Sequence, residues 1–298
     1  MKILIAGASG FVGRALSEHL TETGHEVAIL ARRAPESETT GALVWNPAAG
    51  ELSFPDGTNF DAVIHLGGAN IADGRWTQRR KAELRDSRIQ SAHLLAKAIS
   101  KLPRPPGVFA CASAIGIYGD RGIEVLDENT PAADTFMGLL CKDWENACDP
   151  AREAGIRVLN LRFGIALAPT GGALAKMLPA FRFGLGGKIG DGSQYWSWIS
   201  LPDLLRAIVF CLEQPNLQGP VNLVSPCPVT NLEFTRELGN ALNRPTILPL
   251  PRLVARLALG EMADAALLCS ARVIPRKLTD SGFSFAHSRL DSALSALR

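Results

Sequence analysis

The chain has 298 residues, of which 47% are hydrophobic and 20% are charged, and this composition is typical of a globular protein that can bury a sizeable core. Its 31 basic and 29 acidic side chains give a net charge of +2 at neutral pH. This balance excludes the strongly basic classes of protein, so we expect neither a nucleic-acid partner nor a membrane partner.

The cysteine pattern and the apolar runs indicate the redox state and the cellular location that we expect for the protein. No two of the six cysteines form a C-x-x-C pair, and no histidine lies at metal-ligand spacing from them. We therefore expect reduced thiols, no metal site and a cytoplasmic location. The apolar run at residues 3–6 has the length of a strand rather than of a signal peptide. No apolar run reaches the roughly 18 residues that a membrane span needs.

Strands and helices are predicted to alternate through the first 165 residues. Apolar runs predict strands at residues 3–7, 27–31, 61–66, 108–112 and 156–161. Apolar residues at helical spacing predict helices at residues 11–20, 77–100 and 136–154. The repeated order of strand and helix predicts a parallel, doubly wound sheet, and hence an α/β fold.

The pattern changes after about residue 165, where glycines and aromatic residues become frequent between residues 170 and 199. The remaining predicted elements are a helix at 202–213, a strand at 221–224, a helix that begins with a capping box at Thr230 and Glu233 and continues to Leu242, and short helices at 251–298.

Three glycines follow the first predicted strand as Gly7-x-x-Gly10-x-x-Gly13. The first permits a tight turn, the second lets backbone N–H groups approach a pyrophosphate, and the third lets the helix pack close to the sheet. Because the motif joins a strand to a helix N-terminus, it predicts a Rossmann-type dinucleotide site rather than a plain glycine-rich turn. The predicted contacts are Gly7, Ser9, Gly10, Phe11, Val12 and Gly13.

Together these patterns predict a Rossmann-type doubly wound sheet with a smaller C-terminal α/β lobe. We assign residues 1–165 to the dinucleotide-binding domain and expect residues 200–225 to complete its sheet. Residues 166–199 and 226–298 are assigned to the smaller lobe, on the substrate side.

The residues that follow the second predicted strand indicate which dinucleotide is bound. An NAD site usually has Asp or Glu at this position, where it bonds the ribose 2′-OH. This chain has Ala31, Arg32 and Arg33 instead. Since a guanidinium suits a 2′-phosphate, the sequence favours NADP(H), although solvated surface arginines are the alternative interpretation.

Further segments resemble those of a known family. They are A-D-G-R-W at 72–76, D-S-R at 86–88, S-A-I-G-I-Y-G at 113–119, K-D-W-E at 142–145, G-G-A-L-A-K-M-L at 171–178, F-G-L-G-G at 183–187, S-W-I at 197–199, P-R-K-L at 275–278 and S-G-F at 281–283. With the glycine motif and H-L-G-G at 65–68, they resemble the "epimerase family protein" group of atypical extended short-chain dehydrogenases/reductases. The resemblance covers nearly the whole chain, and it implies the same fold and an NADP(H) cofactor.

The resemblance also implies cofactor contacts at the adenosine phosphate, after later strands and on the long helix. These positions are Ala31, Arg32, Leu66, Gly67, Glu83, Arg88 and Arg162. The carboxyl ends of parallel strands border the ligand crevice, and arginines can neutralise phosphates. Each of these residues, taken alone, is also consistent with an ordinary structural role.

At the catalytic positions the sequence departs from the superfamily. Its pattern is Y-x-x-x-K-x-x-x-E, in which the tyrosine is a general acid/base and the lysine lowers its pKa. If Glu145 matches the glutamate, Met137 and Cys141 occupy the tyrosine and lysine positions. If Lys142 matches the lysine, Gly138 occupies the tyrosine position, so neither alignment supplies a tyrosine.

Two residues near the end of the strand at 108–112 are candidates to replace the missing groups. Tyr118 could donate a proton, or it could be an aromatic side chain packed beneath the cofactor. Ser113 could bond a substrate carbonyl, or its hydroxyl could hold a turn. We name Ser113 and Tyr118 as the catalytic candidates.

The loop from Gly184 to Trp198 is predicted to close over the substrate, because its glycines permit hinge motion. The alternative is aromatic packing between the two lobes. The candidate substrate contacts are Lys188, Gln194, Tyr195, Trp196 and Trp198.

Three functions remain open from the sequence, and fold-level analogy supplies only a prior among them. The first is an NADP(H)-dependent oxidoreductase that acts on a small carbonyl or hydroxyl compound. The second is a sugar-nucleotide epimerase, an isomerase that retains its cofactor and recycles the hydride. The third is a non-catalytic NADP(H)-binding sensor, which the missing tyrosine and lysine favour. The expected ligand besides the cofactor is a small molecule.

Overall fold

The computed structural model describes residues 1–33 and 43–297. Its strands are β1 (Lys2–Ala6), β2 (Glu26–Ala31), β3 (Leu43–Asn46), β4 (Glu51–Leu52), β5 (Ala62–His65), β6 (Val108–Ala114), β7 (Val125–Leu126), β8 (Arg157–Phe163), β9 (Ile165–Leu167), β10 (Tyr195–Trp196), β11 (Trp198–Ser200), β12 (Gly219–Leu223), β13 (Val229–Thr230) and β14 (Arg272–Val273). Its helices are α1 (Phe11–Glu22), α2 (Gln78–Ile99), α3 (Phe136–Asn146), α4 (Asp149–Glu153), α5 (Gly172–Arg182), α6 (Leu201–Glu213), α7 (Asn231–Leu242), α8 (Arg252–Leu259), α9 (Arg276–Asp280) and α10 (Leu290–Leu294). Among these described helices, none has both the length and the apolar sequence that crossing a bilayer requires.

Eight of the described strands form a main sheet in the order β12-β8-β6-β5-β1-β2-β3-β4. Neighbours in it pair in parallel, except β3 and β4, which are antiparallel at one edge. The direction of winding reverses at β1, because β2 lies on one side of it and β5 lies on the other. The prediction of a doubly wound α/β sheet is confirmed, and a ligand crevice is expected at this switch point.

Side chains alternate along β1 and so build an apolar core on each face of the main sheet. Ile3 and Ile5 pack in the core that α1 and α6 cover, while Leu4 and Ala6 pack in the core that α2 and α4 cover. All four side chains are fully buried. Since helices cover both faces, the central strands are continuous apolar runs rather than alternating ones.

The segment at residues 200–225 contributes α6 and β12, and β12 extends the main sheet beside β8. A further apolar core lies away from that sheet and includes Trp196, Phe234 and Leu290. Short paired strands connect the two parts, and β9 pairs with β11 in parallel. The exact division of the chain into two lobes stays a prediction.

The predicted helix at residues 136–154 is two helices in the structure. The first, α3, ends at Asn146, and the second, α4, begins at Asp149 with Pro150 in its first turn. Proline has no N–H to donate, and its ring would clash with the carbonyl of residue 146 in a continuous helix. The prediction of one helix was therefore wrong, although Pro150 is a visible signal for the break.

The capping box predicted at Thr230 is confirmed. Thr230 Oγ1 accepts a hydrogen bond from the Glu233 N–H at 3.2 Å, and Glu233 Oε2 accepts one from the Thr230 N–H at 2.7 Å. The two bonds satisfy N–H groups that a helix start leaves unpaired. They fix the position of α7 in the core of the smaller lobe.

Candidate active site

A cleft of about 470 Å³ opens at the carboxyl ends of β1, β5, β6 and β8, at the switch point of the main sheet. Its walls include Leu66 after β5, Ser113 in β6 and Gly164 after β8. A Cβ atom on Gly7 would lie only 2.7 Å from the Gly67 nitrogen, so the turns after β1 and β5 are in contact. This is the position at which a doubly wound sheet holds a dinucleotide.

The glycine loop brings the N-terminus of α1 to the wall of the cleft. A Cβ atom on Gly13 would lie 2.2 Å from the Gly7 carbonyl oxygen, so a side chain cannot fit where the helix crosses the turn. Gly10 precedes α1, and no described side chain caps the first N–H groups of this helix. By contrast, the Thr77 hydroxyl caps α2. The start of α1 therefore presents N–H groups that can bind a phosphate.

The predicted cofactor residues divide into those on the cleft wall and those beside it. Those on the wall are Gly7, Gly10, Phe11, Val12, Gly13, Leu66 and Arg88. Ala31 and Arg32 lie outside the wall but at the same edge of the sheet, because Leu30 of β2 pairs with Ala6 of β1. Arg32 is exposed, as is Ser9 in the glycine loop. The assignment of Arg32 to a phosphate on the adenosine ribose stays a prediction.

Phe11 explains the two glycines at residues 171 and 172. A Cβ atom on Gly171 would lie 2.2 Å from the Phe11 ring, and one on Gly172 would lie 3.1 Å from it. The Phe11 ring also lines the cleft. The glycine pair at the start of α5 thus makes room for an aromatic side chain at the cofactor site.

Arg88 holds a loop over the cleft. Its Nη1 donates to the Leu84 carbonyl and its Nη2 to the Ala69 carbonyl, both at 2.9 Å. The guanidinium also lies over the Trp144 ring, 5.1 Å from its centroid, and Ser87 Oγ accepts a hydrogen bond from the Ala69 N–H. The D-S-R segment therefore anchors the chain that leads to the A-D-G-R-W segment, in addition to lining the cleft.

Glu83 does not reach the cleft, and this corrects its expected role as a nucleotide contact. Its carboxylate forms an ion pair with Arg80 Nη1 at 2.6 Å, and 57% of its side chain is exposed. Glu83 directly precedes Leu84, which is buried, and successive side chains point in different directions around a helix. Glu83 therefore lies on the solvent side of α2.

Arg162 is part of a buried ion pair rather than of the cleft wall. Its Nε and Nη2 donate to the two carboxylate oxygens of Glu145 at 2.8 and 2.9 Å. Its Nη1 donates to the Tyr118 hydroxyl at 2.8 Å. Because each donor group already has a protein partner, the expectation that Arg162 contacts the nucleotide is corrected.

Ser113 connects this ion pair to the cleft. It lies on the cleft wall, and its Oγ donates to Glu145 Oε1 at 2.7 Å. Glu145 belongs to α3, and only 12% of its side chain is exposed. Since the Ser113 proton is directed at the carboxylate, the lone pairs of Oγ remain for a group that enters the cleft.

Tyr118 lies beneath the cleft and does not line it. Its side chain is fully buried, and its hydroxyl donates to Asn222 Oδ1 at 2.7 Å while it accepts from Arg162. Burial raises the pKa of Tyr118 to about 12. These contacts correct the expectation that Tyr118 donates a proton to a substrate; it packs as the alternative interpretation describes.

The alignment that begins from Glu145 agrees with the geometry. Met137 and Cys141, at its tyrosine and lysine positions, both line the cleft. A Cβ atom on Gly138 would lie 2.0 Å from the Ala133 carbonyl oxygen, so Gly138 packs against backbone instead. Burial raises the pKa of the Cys141 thiol to about 12, which keeps it neutral. The cleft therefore has an apolar surface where the superfamily has a phenol and an ammonium group.

Two of the predicted substrate contacts, Tyr195 and Trp196, line the cleft. They form β10, which pairs with β13 in the smaller lobe. The Trp196 indole N–H donates to the Leu267 carbonyl at 3.2 Å, and its ring packs against Phe234. The same aromatic residues thus pack in the smaller lobe and face the cleft, while closure of this loop over a substrate stays a prediction.

The other three predicted substrate contacts lie elsewhere, which corrects their assignment. Gln194 is buried and its Nε2 donates to two backbone carbonyls. Trp198 is fully buried and its indole N–H donates to a backbone carbonyl at 3.1 Å. The Lys188 carbonyl accepts a hydrogen bond from the Leu250 N–H at 2.8 Å, and Lys188 lies outside the cleft wall. These side chains build the smaller lobe rather than the site.

Sequence reasoning missed two parts of the cleft wall. One is the loop that carries Ile71 and Trp76, and the other is the segment that carries Ala265 and Cys269. The first has a signal in the A-D-G-R-W segment, which the resemblance identified without a role. The second has none, because small apolar residues near a chain end occur in any short helix.

Comparison with known proteins agrees with this geometry. Residues 3–223 match the NAD dependent epimerase/dehydratase family, and residues 250–297 match a domain of unknown function, DUF1731. Epimerase family protein Mb2239 of Mycobacterium bovis is 46% identical over 294 residues, which cover 98% of this chain and 96% of that protein.

Two solved structures extend the comparison. The crystal structure of human epimerase family protein SDR39U1 (isoform 2) with NADPH has a TM-score of 0.91 and 33% identity, covering 100% of this chain and 99% of that chain. The nucleoside-diphosphate sugar epimerase from Corynebacterium glutamicum has a TM-score of 0.77 and 32% identity, covering 99% of this chain and 57% of that chain.

Proposed function

The chain belongs to the NAD dependent epimerase/dehydratase family, and we propose that it is an NADP(H)-dependent oxidoreductase that acts on a carbonyl or hydroxyl group of a small molecule. The observation that carries the proposal is the continuity of the cleft. The glycine loop borders one end of it, and Ser113, hydrogen-bonded to Glu145, borders the same space. A hydride donor and a proton-transferring group can therefore meet on one small molecule.

The residues present fit an NADP(H) cofactor. The uncapped start of α1 would hold the pyrophosphate, and Arg32 would pair with the 2′-phosphate. Human SDR39U1, which is similar over the whole chain, was crystallised with NADPH. When bound, the cofactor supplies a hydride at C4 of its nicotinamide: a carbonyl carbon gains the hydride, the carbonyl oxygen gains a proton, and NADPH becomes NADP⁺.

We assign the transfer of the substrate proton to Ser113 and Glu145. In the direction of alcohol oxidation, Ser113 Oγ accepts the proton of the substrate hydroxyl and passes its own proton to Glu145 Oε1, 2.7 Å away. Carbonyl reduction uses the same two atoms in reverse. Arg162 holds both carboxylate oxygens of Glu145, so it positions the carboxylate for Ser113.

A non-catalytic NADP(H) sensor is the second candidate, and one observation favours it. Met137 and Cys141 occupy the cleft at the positions where the superfamily has its tyrosine and lysine. A sensor would bind NADPH, change its association with a partner and convert no substrate. A sugar-nucleotide epimerase, the activity in the name of the Corynebacterium protein, would convert substrate without net change in the cofactor.

Deuteride transfer distinguishes these functions. We would incubate the protein with a metabolite extract and NADPH deuterated at C4 of the nicotinamide, using each stereoisomer in turn, and follow deuterium by mass spectrometry. A heat-inactivated sample and a Ser113→Ala variant are the controls. We expect one stereoisomer to label a specific product, and we expect Ser113→Ala to lower the labelling while NADPH binding persists. Confirmed NADPH binding without labelling would contradict the oxidoreductase and leave the sensor or the epimerase.

A further inference from the structure

The half of the cleft beyond Ser113 has walls of apolar side chains that come from separate parts of the chain. Ile71 and Trp76 lie on one loop, Met137 and Cys141 on α3, Tyr195 on β10 and Ala265 near the end of the smaller lobe. Sulfur-containing and aromatic side chains pack readily against apolar and aromatic groups. This surface would remove an apolar ligand from water.

The cleft wall has almost no charged side chains among the residues that the structure describes. Of the described residues that line the cleft, only Arg88 carries a charge at neutral pH. Two of its nitrogens are already bonded to backbone carbonyls, and its guanidinium lies over Trp144. Two cations close behind the wall are also engaged: Lys81 pairs with Glu261 at 2.6 Å, and Arg272 lies over the Tyr195 ring. A second diphosphate, such as that of a nucleotide sugar, would find no counterion here.

The polar atoms of the wall are mostly satisfied within the protein. The Trp76 indole N–H donates to the Ile71 carbonyl at 2.9 Å, and the Asn70 side chain bonds Asp73 and the Ala72 N–H. Ser197 Oγ is likewise bonded to backbone groups of the smaller lobe. The polar groups left at the wall are the Ser113 oxygen, the Tyr195 hydroxyl and the Trp144 indole N–H, which is buried and has no partner among the described residues. The wall therefore accommodates a carbonyl or hydroxyl on an apolar body.

The size of the cleft limits the ligand further. Its volume of about 470 Å³ includes the space along the glycine loop and Leu66, which the cofactor would occupy. Cavities of roughly 300–1,000 Å³ hold one drug-sized molecule. A cofactor would take part of this volume, so the remainder favours a small molecule over a second nucleotide.

From these observations we infer that the substrate is a small, uncharged and mainly apolar ketone, aldehyde or alcohol, and not a phosphorylated or nucleotide-linked sugar. The inference rests on the proposed function, because it assigns the ligand of the same site. It places the carbonyl or hydroxyl oxygen at Ser113 and the apolar body against Trp76, Met137 and Tyr195.

The test is a binding measurement that does not need turnover. The protein is first saturated with NADP⁺, and cofactor binding is verified by calorimetry. It is then titrated with 4-phenyl-2-butanone, with cyclohexanone and with UDP-glucose, while the fluorescence of the tryptophans in the wall is recorded. We expect at least the aryl ketone to bind saturably with a Kd below about 1 mM, since small apolar ligands gain little affinity per atom. We expect UDP-glucose not to bind.

Variants of α3 locate the ligand. Met137→Glu places a carboxylate in the wall and should weaken ketone binding at least about tenfold, because an unpaired charge must be desolvated there. Leu139→Glu is the matched control, since Leu139 is on the same helix but is 49% exposed and does not line the cleft. If Met137→Glu does not fold, Ala265→Glu makes the same test from the opposite wall.

Each outcome decides the inference. Saturable ketone binding that is lost in the wall variant and kept in the control supports it. Saturable binding of UDP-glucose, or failure of both ketones to saturate, overturns it. If NADP⁺ itself does not bind, the proposed function fails; if NADP⁺ binds and the ketones do not, only the substrate assignment fails.

Discussion

The two halves of the cleft, one along the glycine loop and one beyond Ser113, are formed by different parts of the chain. The cofactor half is made chiefly from backbone, within the short stretch from Gly7 to Gly13, where absent side chains create the site. The apolar half, beyond Ser113, is made from side chains that the fold brings together from distant segments, such as Trp76, Met137 and Ala265. A charged phosphate needs fixed N–H groups, whereas an apolar body needs only shape and removal from water.

This difference decides how each half tolerates change. A new side chain in the cofactor half would occupy the place of the ligand, so its effect on cofactor binding should be all-or-none. A new side chain in the apolar half changes volume or charge, so its effect should be graded. Ser113, Glu145 and Arg162 lie at the boundary and connect the two halves to the buried core.

The largest effect should come from a side chain at Gly10. This residue is exposed and has φ −73° and ψ 170°, which valine also adopts. A Cβ atom there would lie 3.3 Å from the Gly7 carbonyl oxygen, so the unfolding transition of Gly10→Val is measured first to verify that it folds. Its side chain would stand where the pyrophosphate approaches α1, and we expect NADPH binding to weaken at least about 100-fold by calorimetry. Gly107→Val, where a Cβ atom would meet its nearest neighbour at 3.7 Å, should bind like the wild type. Normal NADPH binding by Gly10→Val would contradict the site.

The ion pair at the boundary should matter more for stability than exposed pairs do. Arg162→Met leaves the Glu145 carboxylate buried without its cation, and we expect the free energy of unfolding to fall by about 3–5 kcal/mol in urea. Arg289→Met removes a pair whose side chains are 76% and 48% exposed, and it should change little. Adding Glu145→Leu to Arg162→Met should recover part of the loss. Equal effects of the two single variants would argue against a buried pair.

A buried histidine beneath the cofactor half should make stability depend on pH. His65 ends β5, is fully buried, and neither ring nitrogen has a hydrogen-bond partner in the part of the chain that the structure describes. Burial, with a smaller contribution from Arg88, lowers the pKa of His65 from 6.5 to about 4. Between these values the unfolded chain binds a proton that the folded chain does not, so stability falls as the pH falls.

The shift corresponds to about 3 kcal/mol, lost as the pH decreases from about 6.5 to about 4. In urea unfolding across this range, His65→Leu should lose that part of the pH dependence. His93→Leu changes an exposed histidine and should retain it. Identical pH profiles for wild type and His65→Leu would show that His65 is not held neutral.

The glycine turn of the cofactor half and the capping box of α7 could be predicted because their signals are local. The spacing of Gly7, Gly10 and Gly13 follows directly from one strand, one turn and one helix, and Thr230 with Glu233 forms its capping box within one helical turn. Both features involve partners a few residues apart, so no knowledge of the tertiary structure is required.

The roles of Tyr118 and Arg162 could not be predicted in the same way. Whether Tyr118 reaches a substrate depends on Asn222 and Arg162, which are far from it in the chain and bond its hydroxyl. Similarly, the sequence alone favours a phosphate contact for Arg162, because it does not show that Glu145 lies beside it. The break at Pro150 is different, because the sequence contains the signal and the prediction overlooked it.

The most direct test of the central claim, that NADP(H) lies along the glycine loop with its 2′-phosphate at Arg32, is the affinity for NADPH and for NADH in three proteins. Calorimetry would compare the wild type, Arg32→Ala and Arg33→Ala, the last being an exposed arginine next in the chain. We predict that Arg32→Ala weakens NADPH binding by about 10- to 100-fold and leaves NADH binding nearly unchanged, while Arg33→Ala has a smaller effect on both. Equal losses of NADPH and NADH affinity in Arg32→Ala would contradict the assignment.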